Sequence, residues 1–450
     1  MVETLQERDE IDWLVLGCEP NGVGALLFAG FYQDVIDFDD GLKDGSPNGF
    51  DYEHSMAHAL SRRIWNKLIG ELLSDQEKDR LVTAGLVPVE ELEDFTADEK
   101  EIVLRILDAI QSIDRPPQQA SLIDLMTVSF ASVNLPHEFI LEGYVFGKLS
   151  FEDCQTRYDF SLRGSVILGS LTIKNCVFDD DADLSDVRLL GGGGVLNLSG
   201  STFNGLTVVA DATILTEAIF VGSRFLGVTS FRGTSFYDRA LFHNTVFGNA
   251  TDFAHVRFYR EAPHFFGAQV HEDTNFAAVQ WPTFGKGIDE VQNVRCYERL
   301  KLLMGSQGKF RQEHEFLRLE MKSHEAAEGW IGSLPSKVFG LFSNYGWSYR
   351  RPLFFLTLLG LFGYLAFSSI ICDPQSAQDF IHDQCPRKML GLSFSNLFSF
   401  LGLNRSILKE EADLIAASKN AEGIAVVQFI LGPVFLFFFG LALRNRFRMK

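Results

Sequence analysis

Residues 218–258 read AIFVGSRFLGVTSFRGTSFYDRALFHNTVFGNATDFAHVRF, and this stretch decides the fold. Phe220, Phe231, Phe242 and Phe253 stand eleven apart, and Phe225, Phe236, Phe247 and Phe258 keep the same interval five residues later. The result is a beat of five and six. A helix needs apolar spacings of three and four, and a half-buried strand needs alternation, so neither accounts for it. Two positions before each phenylalanine stands a small residue in most units: Ala218, Ser223, Thr229, Thr234, Ala240, Thr245 and Thr251. Each unit therefore reads small, any, large.

Followed outward, the beat marks Phe151/Thr156, Leu162/Ile167, Ile173/Phe178, Leu184/Leu189, Leu198/Phe203 and Val209/Ile214 before the phenylalanine pairs, then Phe265/Val270 and Phe276/Trp281 after them. Two slips suffice, one of three residues in the run Gly191–Gly194 and one of a single residue near Glu261. The pattern fits a solenoid of short straight sides, with the large residues on the axis and the small ones admitting the neighbouring side. It resembles the pentapeptide-repeat family, whose signature is a small residue, any residue, then Phe or Leu, every five positions. The resemblance implies a right-handed, four-sided β-helix. Two eleven-residue units would make one coil, and about six coils at about 4.8 Å each would give a rod roughly 29 Å long. The sixth residue departs from the family pattern and predicts one bulged corner for each pair of sides.

The chain ends in a different idiom. Pro352–Ile371 and Ile424–Leu443 are uncharged apolar runs of twenty residues each, about 30 Å as helices, enough to cross a bilayer. Both lie far from the start of the chain, unlike a signal peptide. Arg350 and Arg351 precede the first span, and Arg444, Arg446, Arg448 and Lys450 follow the second. That asymmetry predicts cytoplasmic N- and C-termini. Cys372 and Cys385 would then lie on the oxidising side as a candidate disulfide. Between the spans, residues 390–403 read LGLSFSNLFSFLGL, a length suited to a re-entrant or interfacial segment. Span, short apolar segment, span is the layout of two-span ion channels, and Ser393, Ser395, Asn396 and Ser399 are the candidate pore-lining residues. No TVGYG filter and no acidic ring accompany them. Gly432 and Pro433 interrupt the second span and mark a candidate hinge or a packing contact, while Gly360 and Gly363 form a small-residue patch on the first.

Four regions follow: an acidic, mostly helical N-terminal domain over 1–120, the β-helix over 121–285, a helical linker over 286–349 and the two-span membrane domain over 350–450. The linker and spans together are similar to bacterial membrane proteins that carry pentapeptide repeats before a channel-like pair of helices, which implies the bacterial inner membrane. In the linker, Asp289–Ala327 reads as helices broken at Gly305–Gly308, with apolar stripes Val291/Val294/Leu300/Leu303 and Phe310/Leu317/Met321.

Residues 1–120 hold 26 acidic against 10 basic side chains, within a chain of net charge −19. That sign argues against direct nucleic-acid binding. No enzyme motif emerges. Gly17–Gly24 reads GCEPNGVG without the Lys-Ser/Thr of a phosphate loop, and Ser55 stands where a zinc protease needs Glu after His54, with His58 four on. His243, His255, His264 and His271 recur at intervals of 12, 9 and 7, which do not repeat with the coil, and Cys154 and Cys176 fill small positions as buried thiols. The expectation is therefore no catalytic, cofactor or metal site. It is instead a bilayer-embedded protein, singly or as a homo-oligomeric channel, that presents its β-helix or N-terminal domain to a protein partner. The alternatives are a DNA-mimicking rod that occupies topoisomerases, as some members of the family do, and a structural spacer.

Overall fold

The computed structural model describes residues 127–132, 134–135, 139–190, 194–282, 284, 289–329, 331–371, 385–398 and 419–447. The N-terminal domain expected over 1–120 lies outside them. The chain divides into two compact units, Met1–Gln292 and Asn293–Lys450.

Among the described residues of the first unit, twenty-four short strands, β1 (Thr127–Ala131) to β24 (Arg257–Phe258), form four six-stranded sheets. Every fourth strand joins the same sheet, as in the order β1, β5 (Lys148–Glu152), β9 (Leu171–Lys174), β13 (Val195–Asn197), β17 (Glu217–Ile219) and β21 (Ala240–Leu241), and all neighbours are parallel. This is a four-sided β-solenoid of six coils, followed by a coil held by isolated bridges. Leu196 pairs with Ala218 and Ala218 with Ala240, so one coil takes two eleven-residue units. Leu171 pairs with Leu196, three residues further on than the regular step, as the glycine run requires. Leu241 pairs with His264, one further, as the slip near Glu261 requires.

The marked side chains fill the axis. Every marked residue from Phe151 to Phe265 is buried, Thr156 included, whose hydroxyl donates to the Tyr158 carbonyl at 2.9 Å. Phenylalanines stack coil on coil in columns: Phe178, Phe203, Phe225 and Phe247 at 4.7, 5.0 and 5.4 Å between centroids, and Phe220, Phe242 and Phe265 at 4.6 and 4.8 Å. Adjacent columns meet edge to face, as Phe220 and Phe231 do at 89°. Each such ring contributes about 1.5–3 kcal/mol by leaving water, with about 0.5–1.5 kcal/mol more for an aromatic pair.

The two corner types of the five-and-six beat are distinct. Two residues after the first mark of each unit the backbone turns left-handed, at Asn175, Gly200, Gly222, Asn244 and Gly267 on one corner, and at Asp186, Asp211, Gly233 and His255 on another. The Ser223 N–H closes the turn on the Phe220 carbonyl at 3.2 Å. This is the hydrogen bond of a turn with positive φ at its third residue, hence the glycines and asparagines. The small residue next in line is buried and donates to the coil before: Ser201 to the Ile173 carbonyl (2.8 Å), Ser223 to Leu198 (2.6 Å) and Thr245 to Phe220 (2.7 Å). Cys154 and Cys176 occupy the same ladder, facing the Phe130 and Phe151 carbonyls at 3.5 and 3.3 Å.

One coil lies within the 121–285 bounds but ahead of the beat that starts at Phe151. β1 to β4 begin the solenoid before Phe151, with Phe130, Leu135, Leu141 and Phe146 buried. The step from Phe146 to Phe151 is five where the beat calls for six, so the pattern stops there when read backwards.

In the second unit and the segment leading into it, α1 (Glu290–Ser306), capped by Asp289 Oδ1 on the Gln292 N–H, and α2 (Phe310–Ala327) flank the turn at Gly308. Their buried faces differ from the expected stripes. On α1 they are Asn293, Cys296, Tyr297, Leu300 and Met304, with Val291 exposed, and on α2 His314, Phe316, Leu319, Glu320 and Ser323. Apolar spacing alone mistook the face because buried polar residues share it, among them Glu320, paired with Lys301 at 2.7 Å. A third helix, α3 (Leu334–Ser343), precedes α4 (Arg350–Ile371), α5 (Cys385–Leu397) and α6 (Lys419–Phe447). α4 and α6 are long and apolar enough to cross a membrane.

Candidate functional site

Three places concentrate chemistry, two on the helices and one on the rod. The first is a polar knot inside the bundle. α5 packs on both long helices, with Met389 and Leu392 against Phe367 and Ala421, and Leu397 against Leu356 and Phe435. At the centre Ser393 Oγ donates to the Gly360 carbonyl at 2.7 Å, and Gln428 Nε2 donates to Ser393 Oγ (2.8 Å) and to the Leu359 carbonyl (3.0 Å). Glycine permits this approach. A Cβ at Gly363 would collide with the Gln428 amide and with Ser393 Oγ, and one at Gly432 would lie 2.5 Å from the Leu397 carbonyl oxygen. Ser393, Ser395 and Asn396 are all buried within one chain, and Ser395 Oγ bonds its own helix at the Leu392 carbonyl. α6 continues through Gly432 and Pro433. Ser399 and Cys372 lie outside the described residues, as does the side chain of Cys385.

The second place is the turn entering α4. α3 ends on Asn344 with φ 51°, followed by Tyr345 at 56° and Gly346 at 79°. Left-handed residues other than glycine cost about 1–3 kcal/mol, and this pair is held by its surroundings. Buried Ser343 receives the Gly346 N–H at 3.0 Å, Asn445 of α6 donates to the Gly346 carbonyl at 3.1 Å, and Tyr345 donates to Glu325 of α2 at 2.8 Å. Burial, and then Glu325, push the Tyr345 phenol above its ordinary value. Desolvation lowers His314, whose ring lies 5.1 Å from Trp347. Tyr349, between the Arg350 and Arg446 guanidiniums at 6.0 and 4.9 Å, is lowered chiefly by its hydrogen bond to Arg350. One turn thus ties α2, α3, α4 and α6 together.

The third place is the outside of the rod. Leu168, Leu190, Leu215, Tyr237 and Tyr259 each directly follow a core residue, and each N–H bonds a carbonyl of the previous coil, so they rise one per coil along one edge. Leu215, Tyr237 and Tyr259 are 42, 43 and 44% exposed, a large apolar exposure for so ordered a column. The two tyrosine rings stack at 4.3 Å, and the hydrogen bond to Tyr259 raises the Tyr237 phenol. Beside them the charges pair across coils, Arg239 with Glu217 at 2.9 Å and Arg260 with Asp238 at 2.6 Å. Asp159, Asp180 and Asp181 form an exposed acidic cluster on another corner. Of the four histidines in the marked repeat, His243 and His264 meet, at 3.3 Å between Nε2 and Nδ1.

The family model for pentapeptide repeats, in nine copies, matches residues 193–235. The rod is a pentapeptide-repeat domain. The coils on either side of the matched stretch share its register, strand for strand, so the pentapeptide-repeat fold extends from β1 to the terminal bridges. No curated protein and no solved structure matches the chain.

Proposed function

We propose that this chain is a membrane anchor carrying a pentapeptide-repeat docking module on the cytoplasmic side of a bacterial inner membrane, and that a protein partner seats on the Leu215–Tyr237–Tyr259 edge. The exposed, regularly spaced apolar column carries this reading. Two coil steps of about 4.8 Å give it a length of roughly 10 Å, suited to a short extended segment or one or two turns of a helix. The rod's interior offers no comparable site. Its axial cavity is about 10 Å³, lined by Leu171, Leu198 and other aliphatic side chains. Pentapeptide-repeat solenoids are typically structural or interaction modules, which accords with docking rather than catalysis. Arginines paired to the acidic residues along the edge favour docking over imitation of duplex DNA.

A photo-crosslinking residue placed at Tyr237 in cells should capture a second polypeptide, and Tyr259→Glu should abolish the capture. Crosslinks confined to this chain, or none, would defeat the docking reading and leave a spacer. An oligomeric channel remains the other membrane reading. It requires that α5 move or that residues other than Ser393 and Ser395 line the path, because both are buried within one chain. Bilayer recordings on the purified protein test it, with silence expected for an anchor.

A further inference from the structure

The contact between His243 and His264 follows from the register. The extra residue near Glu261 sets His264 beside Leu241, where its carbonyl accepts the Phe242 N–H at 2.9 Å. Its ring then reaches diagonally across to His243, one coil back. On its far side, His264 Nε2 lies 3.4 Å from Glu261 Oε1, and Arg239 Nε lies 3.8 Å from the same oxygen. His264 is 6% exposed and Glu261 7%, yet neither Nε2 nor Oε1 makes a hydrogen bond. Phe266 flanks both imidazoles, its centroid 5.5 and 5.9 Å from theirs. Leaving buried polar atoms unsatisfied is unfavourable, so the arrangement calls for something to orient it.

Two imidazole nitrogens bound to one tetrahedral zinc at about 2.0–2.1 Å are separated by roughly 3.3–3.4 Å, the edge of the tetrahedron. His243 Nε2 and His264 Nδ1 stand 3.3 Å apart. A metal on Nδ1 leaves the proton of His264 on Nε2, the nitrogen that faces Glu261. Ligating histidines are commonly held by a carboxylate in this way. We propose that His243 and His264 form a two-imidazole site for a divalent transition-metal ion of the zinc class, with Glu261 as the positioning residue behind His264. Water completes the coordination on the open side of His243. The ion would add a link between the last coil of paired strands and the terminal coil, whose backbone pairs with it through isolated bridges.

Full-length protein in detergent, stripped with a chelator and titrated with Zn²⁺, should bind an equivalent that His243→Gln and His264→Gln each remove and that His255→Gln leaves intact. Glu261→Gln should weaken it about 10- to 100-fold. X-ray absorption on the zinc-loaded wild type should count two imidazole ligands, a readout independent of whether any variant folds. Equal zinc stoichiometry and affinity in wild type and His243→Gln, fewer than two imidazoles in the spectrum, or no zinc bound by the wild type would each overturn the site.

Discussion

The rod and the helical unit solve the same problem, burial of apolar surface, in opposite ways. In the rod a phenylalanine meets its counterpart one coil away, and the same contact recurs down each column, as from Phe178 to Phe247. No single coil is special. Stability is then close to a sum over neighbouring coils. The bundle instead rests on unrepeated contacts: one glutamine, one serine and three glycines set how α4, α5 and α6 meet. A defect in the rod stays local, whereas a defect in the bundle falls on the one arrangement that holds three helices.

The comparison is strained hardest by Phe231→Ala. Phe231 stacks on Phe253 at 5.0 Å and meets Phe220, Phe225 and Phe242 edge-on within 5.9 Å. Its truncation should cost about 3–5 kcal/mol. Hydrogen exchange should show lost protection centred on the neighbouring coils, with those near Phe151 nearly unchanged. Uniform loss along the rod would show long-range cooperativity and erase the contrast. In the bundle, Gly432→Ala should cost about 1–3 kcal/mol, because the new methyl meets the Leu397 backbone rather than a side chain that can swing aside. Gly440→Ala serves as its control. A Cβ there meets nothing within 4 Å, so the change should be neutral or slightly stabilising. Unfolding in mixed detergent reads both.

How much could be read from the sequence follows the same division. The solenoid, its coil length and both insertions are legible because one physical demand recurs every eleven residues. The beat is not legible in its first coil, since Phe139 and Tyr144 fill positions where a small residue is expected and Phe146 comes one residue late. The faces of α1 and α2 were misjudged where polar residues such as Asn293 and His314 are buried. Neither could single-chain spacing find the histidine contact. Counting from one histidine to the next looks for equivalent places in successive coils, and His243 and His264 touch diagonally, shifted by the insertion near Glu261. In the bundle, composition revealed the serines and the glycine patches separately, but only the packing of three helices shows that Gly360 and Gly363 admit Ser393 and Gln428.

Ser393→Ala makes the smallest change and discriminates best. The substitution removes the donor to the Gly360 carbonyl and the acceptor of one Gln428 N–H, while Gln428 keeps its bond to Leu359. Hydrogen bonds between helices in a membrane contribute about 0.6 kcal/mol on average and up to about 1.7, so the loss should fall in that range. Ser395→Ala is matched to it in helix, chemistry and burial, but the Ser395 hydroxyl donates to the Leu392 carbonyl of its own helix. Its loss should barely alter the association of α4 with α6. Equal effects in a mixed-detergent titration would mean that the glycine contacts alone set the bundle. A larger effect from Ser395 would make its place within α5, and not the bond from Ser393 to Gly360, the contact on which the three helices depend.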